Sequence, residues 1–262
     1  MLRYGWLPYP MFTDTLIAGT VSNVATIYGT QFGWARVYPM KSKSDAHETL
    51  SLLLKREGVP PKMIMDGAKE QIQGKFKDKL KEANCHLKQT EPYSPWQNYA
   101  EDTIREVKRS LSCKMIKTGS PKKLWDHSLE LEALVKSHTV SDIYMLDGET
   151  PETVMKGDVP DISQLAEFAW YDWVMYCETA DSYPDGDLVL GRYLGPTRDV
   201  GPMMTAKILK SNSEYVPRST FRHLTPEELL FQRILRYNKR LTQAWRKGLD
   251  PPVHPMTLKL MN

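Results

Sequence analysis

From Met11 to Ala18 apolar, β-prone residues surround a single acid, Asp14, and Val24 to Tyr28 and Trp34 to Tyr38 repeat that character through Gly29 and Gly33. Three strands are therefore predicted to open the chain. Ala46, Leu50, Leu53 and Leu54 then recur at helical spacing, with Ser44 as the N-cap and Gly58, Pro60 and Pro61 as the stop. A strand from Lys62 to Met65 runs to Asp66-Gly67. The next helix turns Ile72, Phe76, Leu80 and Ala83 inward and Lys75, Lys77, Lys79 and Lys81 largely outward. Cys85 to Gln89 reads as a short fifth strand, and Ala100, Ile104, Val107, Leu111 and Met115 mark the buried face of a longer third helix. The predicted order is β-β-β-α-β-α-β-α.

Ser120-Pro121 has the chemistry of an N-cap followed by proline at the first helical position, with Leu124, Ser128, Leu131 and Val135 as the buried stripe of a fourth helix. A Gly-, Pro- and Asp-rich connector follows. Strand-like runs at Phe168 to Cys177, Leu188 to Leu194, Met203 to Lys210 and Tyr215 to Thr220 predict a small antiparallel barrel or sandwich. Thr225-Pro226-Glu227-Glu228 is a capping box, opening a helix with Leu230, Ile234, Tyr237, Leu241 and Trp245 along one stripe beside Arg233, Arg236, Lys239, Arg240, Arg246 and Lys247. That basic flank is either a solvated face or a nucleic-acid arm. The expected organisation is a core over 10–140, a linker over 141–165, a small β-domain over 166–224 and a basic amphipathic helix over 225–247.

The chain has 262 residues, 41% hydrophobic and 26% charged, which is ordinary globular usage. Lys and Arg exceed Asp and Glu by only 35 − 32 = 3, so the total charge does not by itself call for a polyanion. Distribution does more: between Gln71 and Lys123 bases outnumber acids by 12 − 6 = 6, a cluster suited to salt-dependent phosphate binding. Cys85, Cys113 and Cys177 are far apart and odd in number, which disfavours a disulfide framework and a zinc knuckle and fits a reducing, intracellular setting. No run reaches the roughly 18 apolar residues of a membrane helix, so a soluble protein is expected.

Asp14 is the least ordinary acid, because an ionised carboxylate inside an apolar strand is costly unless it is paired or ligates a cation. Asp66-Gly67 has a simpler explanation as a strand-ending turn, and Glu101 as a favourable charge in a helix's first turn. If the first strand lies beside the fourth, Asp14, Asp66 and Glu101 converge. Three carboxylates suit hard divalent cations such as Mg²⁺ or Mn²⁺, and a pair of such ions can carry an in-line phosphodiester displacement without a protein nucleophile.

The intervals, 66 − 14 = 52 and 101 − 66 = 35, resemble the D,D-35-E pattern of retroviral and retrotransposon integrases, with one intervening residue fewer than the family's usual second spacing. Pro92-Tyr93-Ser94-Pro95-Trp96-Gln97-Asn98-Tyr99-Ala100-Glu101 is similar to the integrase segment in which a Pro-Tyr-x-Pro turn and an Asn-Gly loop lead into the helix of the catalytic glutamate. Tyr99 stands where the family has glycine. Thr150-Pro151-Glu152, Pro160-Asp161-Ile162-Ser163-Gln164-Leu165 and Leu190-Gly191-Arg192-Tyr193-Leu194-Gly195-Pro196 resemble the copia-type pattern that follows the core.

The resemblance covers roughly Phe12 to Leu224. It implies an α/β fold, a ribonuclease H-like core with a mixed five-stranded sheet and flanking helices, then a small all-β domain and a C-terminal helix. It also implies a metal-dependent polynucleotidyl transferase performing 3′-end processing and strand transfer, with Asp14, Asp66 and Glu101 as ligands of two Mg²⁺ or Mn²⁺ ions. Pro95, Trp96, Asn98 and Tyr99 would form the active-site loop, with Trp96 and Tyr99 either stacking on a base or packing beneath it. Glu101, Arg105 and Lys108 share a helix face, so Arg105 and Lys108, with Arg109 and Lys88, are candidate DNA contacts, although a plain Glu-to-Arg helix pair is the alternative for Arg105. The implied partners are element and target DNA and further copies of the chain, with the active complex in the nucleus of a eukaryotic host. No His/Cys zinc module precedes Asp14, so a fragment or degenerate copy without zinc is expected. The rival readings are a related ribonuclease H-fold nuclease or transposase, and an inactive or co-opted nucleic-acid-binding remnant.

Overall fold

The computed structural model describes residues 5–17, 24–66, 74–91, 99–177, 188–200 and 204–230. The chain divides into two compact units, residues 1–171 with 194–196, and residues 172–193 with 197–262.

The first unit is built on a five-stranded sheet of β1 (Met11–Ile17), β2 (Val24–Gly29), β3 (Ala35–Met40), β4 (Lys62–Met65) and β5 (His86–Gln89), in spatial order β3-β2-β1-β4-β5. The first three strands form an antiparallel meander, and β4 and β5 add in parallel beside β1. The sheet is therefore mixed. Its helices are α1 (Ala46–Arg56), α2 (Lys75–Glu82), α3 (Tyr99–Thr118) and α4 (Trp125–Ser137), followed by the shorter α5 (Pro151–Lys156) and α6 (Ser163–Glu167). Strand alternation sorts the side chains into two cores. Val24, Tyr28, Tyr38, Met63 and Met65 pack with α1 and α2, whereas Phe12, Leu16, Ala25, Ile27 and Val37 pack with α3 and α4. Every residue of β2 is buried, as expected of a strand covered on both faces.

The predicted order of elements holds, and several local expectations change. Ser42, rather than Ser44, caps the first helical turn: its hydroxyl accepts from the Ser44 N–H, and the Asp45 carboxylate accepts from the Ser42 N–H, so Lys43–Asp45 forms a single 3₁₀ turn before α1. Ser120 caps nothing. Its hydroxyl accepts from Trp170 Nε1 at 3.1 Å, and a 3₁₀ turn at Lys122–Leu124 leads into α4. Ile72 lies outside the described residues.

The stretch 141–165, expected to be a linker, instead packs into the first unit. Leu146 and Met155 join the α1/α2 core. Glu152 of α5 accepts hydrogen bonds from Arg36 Nη2 and Trp34 Nε1, Arg36 Nε donates to Glu57 Oε1, and Lys156 pairs with Glu57. Two cations and two carboxylates thus neutralise one another at the edge strand β3, which is how charge is tolerated in a core.

The second sheet comprises β6 (Trp173–Cys177), β7 (Leu188–Pro196, of which 188–193 belong to the second unit), β8 (Ala206–Leu209), β9 (Tyr215–Arg218) and β10 (Phe221–His223), in order β10-β6-β7-β8-β9 with antiparallel β10/β6, β6/β7 and β8/β9 pairs. Val174, Tyr176 and Ile208 are fully buried, and Gly191 lets β7 approach them, since a Cβ there would lie 2.4 Å from Ile208 Cγ2. The capping box forms as read: Thr225 Oγ1 accepts from the Glu228 N–H, and the Glu228 carboxylate accepts from the Thr225 N–H. The rest of that helix's expected course, 231–247, lies outside the described residues.

Candidate metal and nucleic-acid site

The parallel pairing of β1 and β4 runs Met11↔Met63, Phe12↔Ile64 and Thr13↔Met65. Asp14 is the next residue on β1 and Asp66 is the first residue past the end of β4, so each directly follows the last paired position of strands that lie about 4.8 Å apart in any sheet. Three contacts fix the face. Asp14 is directly opposite Ile27, and it alternates with Phe12 and Leu16; all three belong to the core beneath α3 and α4. Ile64, two residues before Asp66, packs against the same core. Asp14 is half-buried and Asp66 exposed, and the Thr15 N–H donates to Asp14 Oδ1 at 2.6 Å.

Helix α3 crosses this face over β1 and β2. Its first residue, Tyr99, sets its ring edge against Phe12 at 5.1 Å between centroids, and Ala100 is buried beside them. Glu101 follows in the first turn, exposed, where its charge also favours the helix N-terminus. The turn that carries Glu101 is thus anchored two residues from Asp14 along β1. Among the described residues, no three His, Cys, Asp or Glu side chains are gathered closely enough to hold an ion. The donor chemistry fits a hard cation, being oxygen alone, but the three acids are not gathered into one such group.

Lys88 on β5 stands opposite Ile64, so it shares the face of the acidic pair one strand further out. Arg105, Lys108 and Arg109 are all exposed on α3. The helix pair considered for Arg105 is replaced by another: its Nη2 donates to Asp102 at 2.5 Å, between side chains that are 79% and 65% exposed. Asp102 escaped the sequence reading because the i,i+4 rule pointed to Glu101; the i,i+3 alternative is equally available on a helix. Pro95, Trp96 and Asn98 lie outside the described residues. No described helix is long and apolar enough to cross a membrane.

No protein-family model and no curated protein matches the sequence. Among solved structures, the chain is similar to a chain in the cryo-EM structure of the simian T-cell lymphotropic virus intasome in complex with PP2A regulatory subunit B56 gamma, with 16% identity and a TM-score of 0.50 over 86% of this chain and 82% of that one. It is also similar to the catalytic core domain of BIV integrase, with 14% identity and a TM-score of 0.46 over 56% of this chain and 93% of that one. The likeness to the intasome chain is one of fold alone; in this chain an α/β unit with a mixed five-stranded sheet is followed by a second sheet with antiparallel pairs.

Proposed function

We propose that this chain is an integrase of the copia retrotransposon type, a divalent-metal-dependent polynucleotidyl transferase that processes DNA 3′ ends and joins them to target DNA. The observation that carries the reading is the parallel register of β1 and β4, whose last pair, Thr13↔Met65, is directly followed by Asp14 and Asp66, beside the helix of Glu101 that packs on β1. The intasome-like fold is consistent with it.

In this reading Asp14, Asp66 and Glu101 hold Mg²⁺ or Mn²⁺, and no side chain of the protein forms a covalent bond to DNA. Divalent ions held there would supply the Lewis-acid chemistry that activates a water or a 3′-hydroxyl and stabilises the leaving oxygen. Asp14 of β1, Asp66 at the end of β4 and Glu101 in the first turn of α3 would supply the oxygen ligands. Lys88, Lys108 and Arg109 bind phosphate and orient the strand, contacts that position DNA without reading its sequence. Several copies would act together on the DNA ends, in the nucleus if the host is eukaryotic.

A second reading, DNA binding without turnover, is favoured because Asp14, Asp66 and Glu101 do not form a gathered metal-ligand group among the described residues. Incubation of the purified chain with a labelled DNA end, target plasmid and manganese tests both. Joined products that vanish with EDTA and fall on the order of 100-fold in Asp66→Asn are expected, since a lost ligand forfeits several kcal/mol of transition-state stabilisation. Equal signal from wild type and Asp66→Asn refutes catalysis at this pair. Salt-sensitive DNA binding with no products supports the second reading, and cleavage without joining supports a related nuclease.

A further inference from the structure

Between α3 and α4, beneath the turn at Gly33, the first unit has a cleft of about 290 Å³. Val107, Val135 and Pro151 give it an apolar lining, and Glu106, Lys136 and Glu132 a charged one. These charges are already matched. Glu106 pairs with Lys136, and Glu132, only 7% exposed, pairs with Lys114 and accepts from Ser110 Oγ.

The cleft opens onto the segment that runs from α4 towards α5. Val140 and Ser141 line it, and Ile143 Cδ1 lies 3.9 Å from where a Cβ on Gly33 would be, the same distance as Pro151 Cγ. Around that mouth large apolar side chains face solvent: Val140 is 54% exposed, Met145 45% and Tyr144 98%. A tyrosine displayed so fully beside an apolar cleft contributes nothing to this unit's core and is suited to a partner.

Charge says which partner. From Val140 to Thr150 the chain has three acids, Asp142, Asp147 and Glu149, and no lysine or arginine, and all three acids are exposed. With the cleft's own charges paired off, the patch carries a net charge of about −3, opposite in sign to the Lys108/Arg109 face of α3. It repels a polyanion and attracts a cation.

We infer that this cleft and the 140–149 rim form a docking site for a cationic segment of another protein that inserts a bulky apolar side chain beside Tyr144. The apolar residue fills the cleft over Val107, Val135 and Pro151. Flanking lysines or arginines meet Asp142 and Glu149, which hastens encounter and fixes orientation. The site is independent of the proposed metal centre and of DNA.

Selection of a randomised heptapeptide display library on the immobilised full chain tests this, with Tyr144→Ala/Asp142→Lys/Glu149→Lys as the parallel target. All three positions are exposed, and matching thermal melts would verify that the variant is folded. The expected result is at least tenfold enrichment, on wild type only, of peptides with a Leu, Phe, Ile or Met flanked by Lys or Arg, and binding of the enriched peptide that weakens in high salt but not on adding duplex DNA. The inference is overturned by no enrichment, by acidic or wholly polar winners, or by equal retention on the variant. It is also overturned if sedimentation shows a wild-type dimer that Tyr144→Ala dissociates while no peptide is enriched, because the face would then belong to self-association.

Discussion

Arg36 on β3 and Glu152 on α5, separated by 116 residues in sequence, are joined by hydrogen bonds of 2.7 and 2.6 Å from one guanidinium nitrogen to both carboxylate oxygens. Glu152 also accepts from Trp34 Nε1, and the guanidinium carbon lies 4.5 Å from the Trp34 ring centroid. The contact makes α5 part of the first unit. Breaking a buried pair by removing one partner typically costs about 3 to 5 kcal/mol. Glu152→Ala is expected to lose stability of that order in denaturant unfolding, and Glu152→Gln, which keeps an acceptor for Trp34, less. A loss under about 0.5 kcal/mol for Glu152→Ala, the range of an ordinary surface change, would show that the pair contributes nothing net.

The order of the first unit's strands and helices was legible because its sheet has two covered faces and alternation is strict: Ala25 and Ile27 look one way, Val24 and Tyr28 the other. The two aspartates were half legible. Composition around Asp14 marked it as unusual, but only the β1/β4 register brings the end of β4, just before Asp66, beside Thr13, and register between segments 52 positions apart (66 − 14) is a tertiary fact. Residues 141–165 were misread because Gly, Pro and Asp suggest a loop, whereas the burial of Leu146, Met155 and Glu152 depends on Arg36 and Trp34, more than 100 positions earlier.

The contact of Tyr99 with Phe12 holds the first turn of α3 against β1. An edge-to-face aromatic pair is worth about 0.5 to 1.5 kcal/mol beyond the area it buries. Tyr99→Phe should leave the melting temperature unchanged, because the ring pair survives. Tyr99→Gly should lower it, losing both the ring and helix propensity. Equal melting of all three proteins would mean that the ring does not anchor the turn.

Gly191 on β7 faces Ile208 Cγ2, Leu209 O and Tyr176 Cδ1, which an added Cβ would meet at 2.4, 3.1 and 3.1 Å. Two of these are core side chains of the second sheet, and one is backbone. Gly191→Ala is therefore expected to destabilise that unit by about 1 to 3 kcal/mol, the usual cost of overpacking. The measurement is proteolysis or hydrogen exchange resolved to residues 172–193 and 204–230; unchanged protection there would show that the sheet relaxes around the methyl group.

Glu228 presents both carboxylate oxygens to Arg222, at 2.9 Å each, and one of them also accepts from the Thr225 N–H at 2.8 Å. The Arg222 hydrogen bonds above all, then the Thr225 N–H, favour the ionised form and hold its pKa down at about 2. A carboxylate whose folded pKa lies below its unfolded value stabilises the fold fully above the unfolded value, roughly 4.3 for glutamate, and loses that contribution as pH falls through the folded value. The capping box should therefore persist at pH 5 and weaken between about pH 4 and 2. Because the group is only part-buried, added salt should shrink the effect. Carboxyl-detected NMR titration provides the check: Glu228 should titrate near the bottom of the carboxylate range in the wild type and move upward in Arg222→Gln. If the two proteins titrate alike, the arginine contacts do not set the charge state of the cap.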